Sequence, residues 1–234
     1  MFNGYKTEIP TTYSELSENA GKNVLDNNLT GLSCDFNYQF SKISFLKVFC
    51  YLGLKNFLDQ KIVDETGKFT TNLRKDISYM TGFTFSLKSL KSSISISETF
   101  NYYTSNQNSY DAGQTFYSVK FYDYIQNNFS PMLSFYFGVM EPMTTLSLYF
   151  DLGYRKYLER LAQDSKGSYT SEKIYQDINT VGISVLYPLN NLLRGLFLKV
   201  AGNYRSVSSN MKYEKYYKYN YYVTNYFLGV VLEY

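Results

Sequence analysis

The last fifteen residues, Asn220–Tyr234, constrain the fold more than any other stretch. Taken in steps of two from the end they give Tyr234, Leu232, Val230, Leu228, Tyr226, Thr224 and Tyr222. The other parity gives Glu233, Val231, Gly229, Phe227 and Asn225. One face is therefore apolar and aromatic over five consecutive positions, while the other is mixed. A period of two over this length requires a β-strand, because alternate side chains point to opposite faces of a sheet.

The same design recurs upstream. Leu32, Cys34, Phe36, Tyr38 and Phe40 alternate with Ser33, Asp35, Asn37 and Gln39, and a turn at 41–43 leads into Ser44–Asn56. There Leu46, Val48, Cys50, Leu52 and Leu54 form one face, and Lys47, Phe49, Tyr51, Gly53 and Lys55 the other. Arg74–Lys88, Ser93–Tyr103, Thr144–Arg155, Ile174–Tyr187 and Arg194–Ser206 repeat the pattern. Between them the stretches Phe57–Thr71, Thr104–Gly113, Tyr157–Lys173 and Ser206–Tyr219 are polar and are expected as loops, alternating with tight turns. The recurring unit is only the hairpin, and no repeat of the solenoid or propeller kind, roughly 20–50 residues long, is visible.

A closing strand with a continuous apolar face and a terminal aromatic residue resembles the carboxy-terminal signature of bacterial outer-membrane β-barrel proteins, here Tyr226, Leu228, Val230, Leu232 and Tyr234. That resemblance is to an architecture and not to one family. It implies an all-β fold: a closed antiparallel up-and-down transmembrane barrel, with short turns at one end and longer loops at the other. It also implies a lipid bilayer and the barrel-assembly machinery as partners, and the outer membrane as location. Phe2–Ile9 reads as a short strand that the last strand would pair with to close the barrel. Both chain ends then lie on one side, so the region 114–155 must supply an even number of strands. Three pieces are nevertheless readable there (Thr115–Ile125, Pro131–Met140, Thr144–Arg155). Two strands would make a barrel of ten, the expected number, and four a barrel of twelve. The chain reads as a single domain, 1–234, or as the C-terminal domain of a longer protein.

Composition agrees with extended sheet at a membrane: 19% aromatic residues with 27 Tyr and 18 Phe, and only 4 Pro. Tyrosine combines an apolar ring with a polar hydroxyl and suits membrane interfaces. The mean hydropathy of −0.31 is ordinary for a barrel, whose polar lumen offsets its apolar exterior. No apolar run approaches the roughly 20 residues a spanning helix needs. Met1–Pro10 lacks the basic start and apolar core of a signal peptide, so a barrel reading expects a mature form, an added Met or the end of a longer chain. A net charge of +3 with scattered basic residues gives no reason to expect a nucleic-acid partner.

The absence of histidine removes Ser-His-Asp and Cys-His catalysis, and with it the mechanisms of the outer-membrane barrel enzymes, which use a histidine. Two cysteines do not make a zinc set, and no Gly-rich phosphate loop is present. The chain is accordingly expected to be neither an enzyme nor a carrier of a cofactor or metal. Cys34 and Cys50 would face each other in a hairpin centred on Lys42, as small apolar residues on the outside or as a cross-strand disulfide. The predicted inner faces carry Lys47, Lys55, Arg74, Lys88, Lys120, Arg155, Lys199 and Arg205 against Asp35, Asp76, Asp151 and Glu233. This excess of cations predicts a mildly positive lumen that favours small anionic solutes. Paired carboxylates could serve hydrolysis, but the simpler role of these charges is to pair with one another or with water inside a narrow barrel. The tyrosines 102, 103, 110, 117 and 122, and those of 213–222, suit an interfacial girdle or a sugar-stacking platform. A porin-like channel or structural membrane protein is the function this implies. The alternatives are a barrel that anchors adhesive or assembly loops, and a soluble ligand-binding barrel with its apolar faces turned inward.

Overall fold

Alternation this regular leaves the backbone one economical solution, and the chain takes it. The computed structural model describes residues 20–111, 116–138, 143–193, 195–214 and 218–232. Its strands are β1 (Asn27–Gln39), β2 (Ser44–Val63), β3 (Phe69–Lys88), β4 (Ser92–Ser105), β5 (Ser109–Asp111), β6 (Phe116–Ser118), β7 (Tyr124–Phe137), β8 (Thr144–Gln163), β9 (Tyr169–Pro188), β10 (Leu196–Ser209) and β11 (Tyr221–Leu232). Nine of them form one antiparallel up-and-down sheet in the order β1-β2-β3-β4-β7-β8-β9-β10-β11, and β5 and β6 make a separate small hairpin. The sheet is open, with β1 and β11 as its edges among the described residues. The middle region supplies two sheet strands, β7 and β8. Of the piece read at Thr115–Ile125, Phe116–Ser118 is β6, residues 119–122 form a turn, and Tyr124 and Ile125 open β7; Thr115 and Phe2–Ile9 lie outside the described residues.

The register assigns every side chain to a face. Leu52, Tyr79 and Tyr102 lie opposite one another across β2, β3 and β4, and so do Leu133, Leu148 and Ile183 across β7, β8 and β9. On this face stand Leu32, Phe36, Val48, Phe83, Phe100, Phe129, Phe150, Leu152, Val181, Val200 and Leu228, all of them exposed. The opposite face carries Ser33, Thr84, Ser97, Asn128, Ser147 and Asn203. That polar face is concave: Lys42, in the β1–β2 turn, and Phe197, on β10, border one cavity of about 510 Å³. One cluster of buried apolar residues, Ala162, Ile174 and Met211, lies instead at the long-hairpin end. Cys34 and Cys50 are opposite each other on the apolar face, exposed and free.

Two of the expected polar loops are largely strand. β2 and β3 continue past Asn56 and Arg74 to a tight turn at 64–68, with a register shift at Lys61, and β8 and β9 do the same around 164–168. Polarity marked these segments as exposed, but the ladder hydrogen bonds continue regardless of side-chain chemistry. In each turn an aspartate side chain caps the chain reversal: Asp64 Oδ1 accepts from the N–H of Thr66 and Lys68, and Asp164 Oδ1 from those of Lys166 and Ser168. Gly67 and Gly167 adopt φ of +84° and +89°, where a side chain would be strained.

This likeness extends over whole halves of the sheet. Asn106 accepts from the Lys75 N–H and donates to the Leu73 carbonyl; Asn210 does the same with Tyr175 and Lys173. The Ser105 N–H donates to Asp123, and the Ser209 N–H to Asn220. The Leu58 and Leu158 N–H groups donate to the carbonyls of Asp26 and Asp123. Tyr117 covers Gly67, and Tyr213 covers Gly167. The sheet is thus a four-stranded unit, β1 to β4, followed by a second copy, β7 to β10, with β11 beginning the pattern again. The hairpin is not the largest recurring unit.

Inside the concave face, aromatic rings lie over glycines of the next strand. A Cβ on Gly82 would come within 2.9 Å of Phe49 Cζ, and one on Gly182 would collide with the ring of Tyr149. The same pairing in both halves indicates a packing device, since a ring can shield a strand glycine only where no side chain intervenes. Gly182→Val is expected to cost roughly 1–3 kcal/mol in denaturant unfolding, the usual penalty of overpacking. Adding Tyr149→Ala should recover part of that loss, and a purely additive double variant would exclude the clash.

Candidate functional site

At the long-hairpin end the two halves build the same frame and fill it with opposite charge. In the first half, Asp76 on β3 is 3% exposed. Arg74 Nε donates to Asp76 Oδ1 at 2.9 Å and Arg74 Nη2 to Oδ2 at 3.1 Å, a bidentate pair. The Tyr103 hydroxyl and Ser105 Oγ donate to the same carboxylate at 2.6 Å each. The guanidinium lies between Phe57 and Tyr122, 4.7 and 4.8 Å from their ring centres. Asp123, also buried, accepts from Thr104 Oγ1 and the Ser105 N–H. Such charge-assisted, fully satisfied clusters rigidify the part of the sheet they tie together.

In the second half, Tyr157 and Tyr219 stand where Phe57 and Tyr122 stand in the first. They hold Arg160, whose carbon lies 4.6 and 5.8 Å from their centres and 4.2 Å from that of Phe121. Arg160 Nη2 donates to the Tyr219 hydroxyl at 2.6 Å. The position of Asp76 is taken by Gln176, and that of Asp123 by Asn220. Arg155 stacks 4.5 Å over Tyr124 and donates Nε to Gln126 Oε1 at 2.8 Å. Arg155, Arg160 and Arg205 line one cavity of about 490 Å³ with Tyr103, Tyr124 and Gln176. None of the three has a carboxylate in ion-pair reach among the described residues.

The remaining predicted inner charges scatter along the polar face. Asp35 and Lys47 form a solvent-exposed pair at 3.1 Å, and such pairs contribute little. Asp151 accepts from Ser130 Oγ at 2.7 Å, Lys55 lies 4.6 Å over Phe57, and Lys199 lies 5.8 Å over Phe227. Lys88 borders the cavity at the turn end. Lys120 is a correction: it sits in an exposed turn at φ 54°, away from the sheet, because Phe116–Ser118 pairs with β5 and not with the main ladder. Glu233 and Tyr234 lie outside the described residues, while Tyr226, Leu228, Val230 and Leu232 share the apolar face of β11. The tyrosines divide by parity. Tyr79 and Tyr102 stack on the apolar face, as do Tyr204 and Tyr222. Tyr219 and Tyr221, expected in the girdle, border the inner cavity; Tyr216 and Tyr217 are not described. The sequence does not show the arginine grouping, because Arg160 lies in a stretch whose polarity predicts a loop, and only the continuation of β8 brings it inward.

A second clamp orders the chain leading into β11. Glu214 Oε1 accepts from the N–H groups of Tyr219 and Asn220 and from the Asn220 amide, at 2.6–2.9 Å. Burial alone would raise its pKa, but these donors and Lys218 outweigh burial and hold it below 4.5. A lowered folded pKa stabilises the clamp above the ordinary value and releases it as pH falls through the folded one. The Tyr219 and Asn220 amides are therefore expected to stay protected from hydrogen exchange down to pH 4.5 and to open only below it. Glu214→Gln should abolish that dependence.

Among the described residues no group of three or more His, Cys, Asp or Glu side chains is placed to hold a metal ion, and no helix is long and apolar enough to cross a membrane. No family model, curated protein or solved structure matches the chain, so its reading rests on its own residues.

Proposed function

We propose that the chain is an integral outer-membrane β-barrel, porin-like, with a polar lumen that favours anions. The observation that carries this reading is the apolar face, which runs across all nine strands on the exposed, convex side. On β2 it spans Leu46–Leu54 and on β8 Leu146–Tyr154, close to the 9–11 residues with which a tilted strand crosses a bilayer, roughly. A soluble barrel turns such a face inward, and an exposed apolar surface this large calls for lipid or a partner.

In this reading a tenth strand pairs with β11 and β1, which removes both open edges. The last strand also serves as the element read by the barrel-assembly machinery. Arg155, Arg160, Arg205, Lys55 and Lys199 give the lumen its positive sign. Refolded protein is expected to migrate differently on gels when unheated, and to give planar-bilayer currents whose reversal potential in a salt gradient favours anions. Solubility without detergent would end the membrane reading. Cation-selective currents, or none, would end the channel reading and leave a structural barrel.

A further inference from the structure

We propose that the cavity at the hairpin end of the second half binds a small solute through its carboxylate or phosphate group, and that this anion occupies the role Asp76 plays in the first half. The inference deepens the anion-favouring lumen proposed above, but it does not depend on the sheet lying in a membrane.

The two halves are a natural comparison, because corresponding residues make the same hydrogen bonds and the same aromatic frame. Phe57 and Tyr122 embrace a guanidinium in one, and Tyr157 and Tyr219 embrace a guanidinium in the other. In the first half the charge is neutralised within the chain, by a carboxylate that accepts four hydrogen bonds. In the second half both buried carboxylates are replaced by amides, Gln176 and Asn220. At the same time two neutral side chains of the first half, Gln60 and Asn101, give way to Arg160 and Arg205 at the corresponding positions. Arg74 itself gives way to Ile174, so on balance the second half gains one cation and loses both of the buried anions that would balance it. Gln176 lies directly opposite Arg155 in the ladder, at the rim of the cavity.

Among the described residues Arg155 commits only Nε to a protein acceptor, and no partner accepts from Arg205. Their terminal nitrogens remain available to a forked acceptor, which carboxylate and phosphate oxygens match in geometry. A volume of about 490 Å³ suits a small organic anion. Tyrosine rings and hydroxyls around it provide stacking and donors for the rest of such a solute.

The test uses the refolded full chain, its fold checked by circular dichroism, and isothermal titration with glucuronate, glucose 6-phosphate and neutral glucose. At least one of the two anions should bind, and glucose should not. Gln176→Asp places a carboxylate in the cavity and should weaken anion binding by roughly tenfold or more, the scale of one charge-assisted pair. Gln176→Ala, which removes the amide without adding charge, should change affinity by less than about threefold, well short of the tenfold that marks 1.4 kcal/mol. Arg155→Gln with Arg205→Gln should abolish binding. The proposal is overturned if neither anion binds, if glucose binds as well as the anions, or if Gln176→Asp and Gln176→Ala behave alike. Anion binding by a protein that shows no heat-modifiable mobility would uphold the site and remove the membrane reading.

Discussion

Asp76→Ala is expected to destabilise the protein by about 3–5 kcal/mol, the cost of leaving a buried charge without its partner. Asp76 is nearly inaccessible, and the Arg74 side chain is 14% exposed, so water cannot replace the lost carboxylate. The Tyr103 hydroxyl and Ser105 Oγ would lose their acceptor as well. Equilibrium unfolding of the refolded protein in urea measures the effect. Gln176→Ala, at the equivalent place in the other half, provides the control and should cost less than about 1.5 kcal/mol, since no ionic partner is abandoned there. Replacing both partners together, Arg74→Met with Asp76→Leu, should recover most of the loss, because the expense lies in the orphaned charge. A cost below about 1 kcal/mol for Asp76→Ala would mean that the pair behaves as a surface ion pair and does not organise the first half.

The second large effect concerns the convex face and reads the environment directly. Ile183 is 47% exposed. In a water-soluble protein an arginine at so open a position changes stability by less than about 0.5 kcal/mol. In a bilayer the same Ile183→Arg should cost about 2–4 kcal/mol near the midplane. Folding into phospholipid vesicles, with and without the substitution, separates the two cases. Glu98 supplies a test of opposite sign. It lies on the apolar face between Phe83 and Phe129, where it accepts a hydrogen bond from Asn127 at 3.1 Å. Glu98→Leu should stabilise the vesicle-folded protein. If Ile183→Arg is silent and Glu98→Leu destabilises, the face is not in lipid.

Much of this molecule is legible in the sequence because a sheet with two unlike faces writes a period of two into the chain. Leu146, Leu148, Phe150, Leu152 and Tyr154 could only be a strand face, and the register of Cys34 opposite Cys50 followed from the turn at Lys42. The doubling is legible in the sequence as well. Leu52-Gly53, Lys55 and Phe57-Leu58 recur as Leu152-Gly153, Arg155 and Tyr157-Leu158, and Asp64, Gly67 and Gly82 as Asp164, Gly167 and Gly182. Alternation masks it, since every hairpin carries the same apolar period.

The amino-acid sequence by itself determined the class of fold and the apolar and polar faces, because those depend only on side chains two residues apart. Only the tertiary structure decided that the polar stretches after Asn56 and Tyr157 remain strand. It alone placed Lys120 in a turn and Arg160 inside, and left the three arginines of one half facing amides where the other half has carboxylates. Those outcomes depend on which strands become neighbours and how far their ladders continue. Backbone hydrogen bonds across the sheet settle both, between residues that local alternation does not connect.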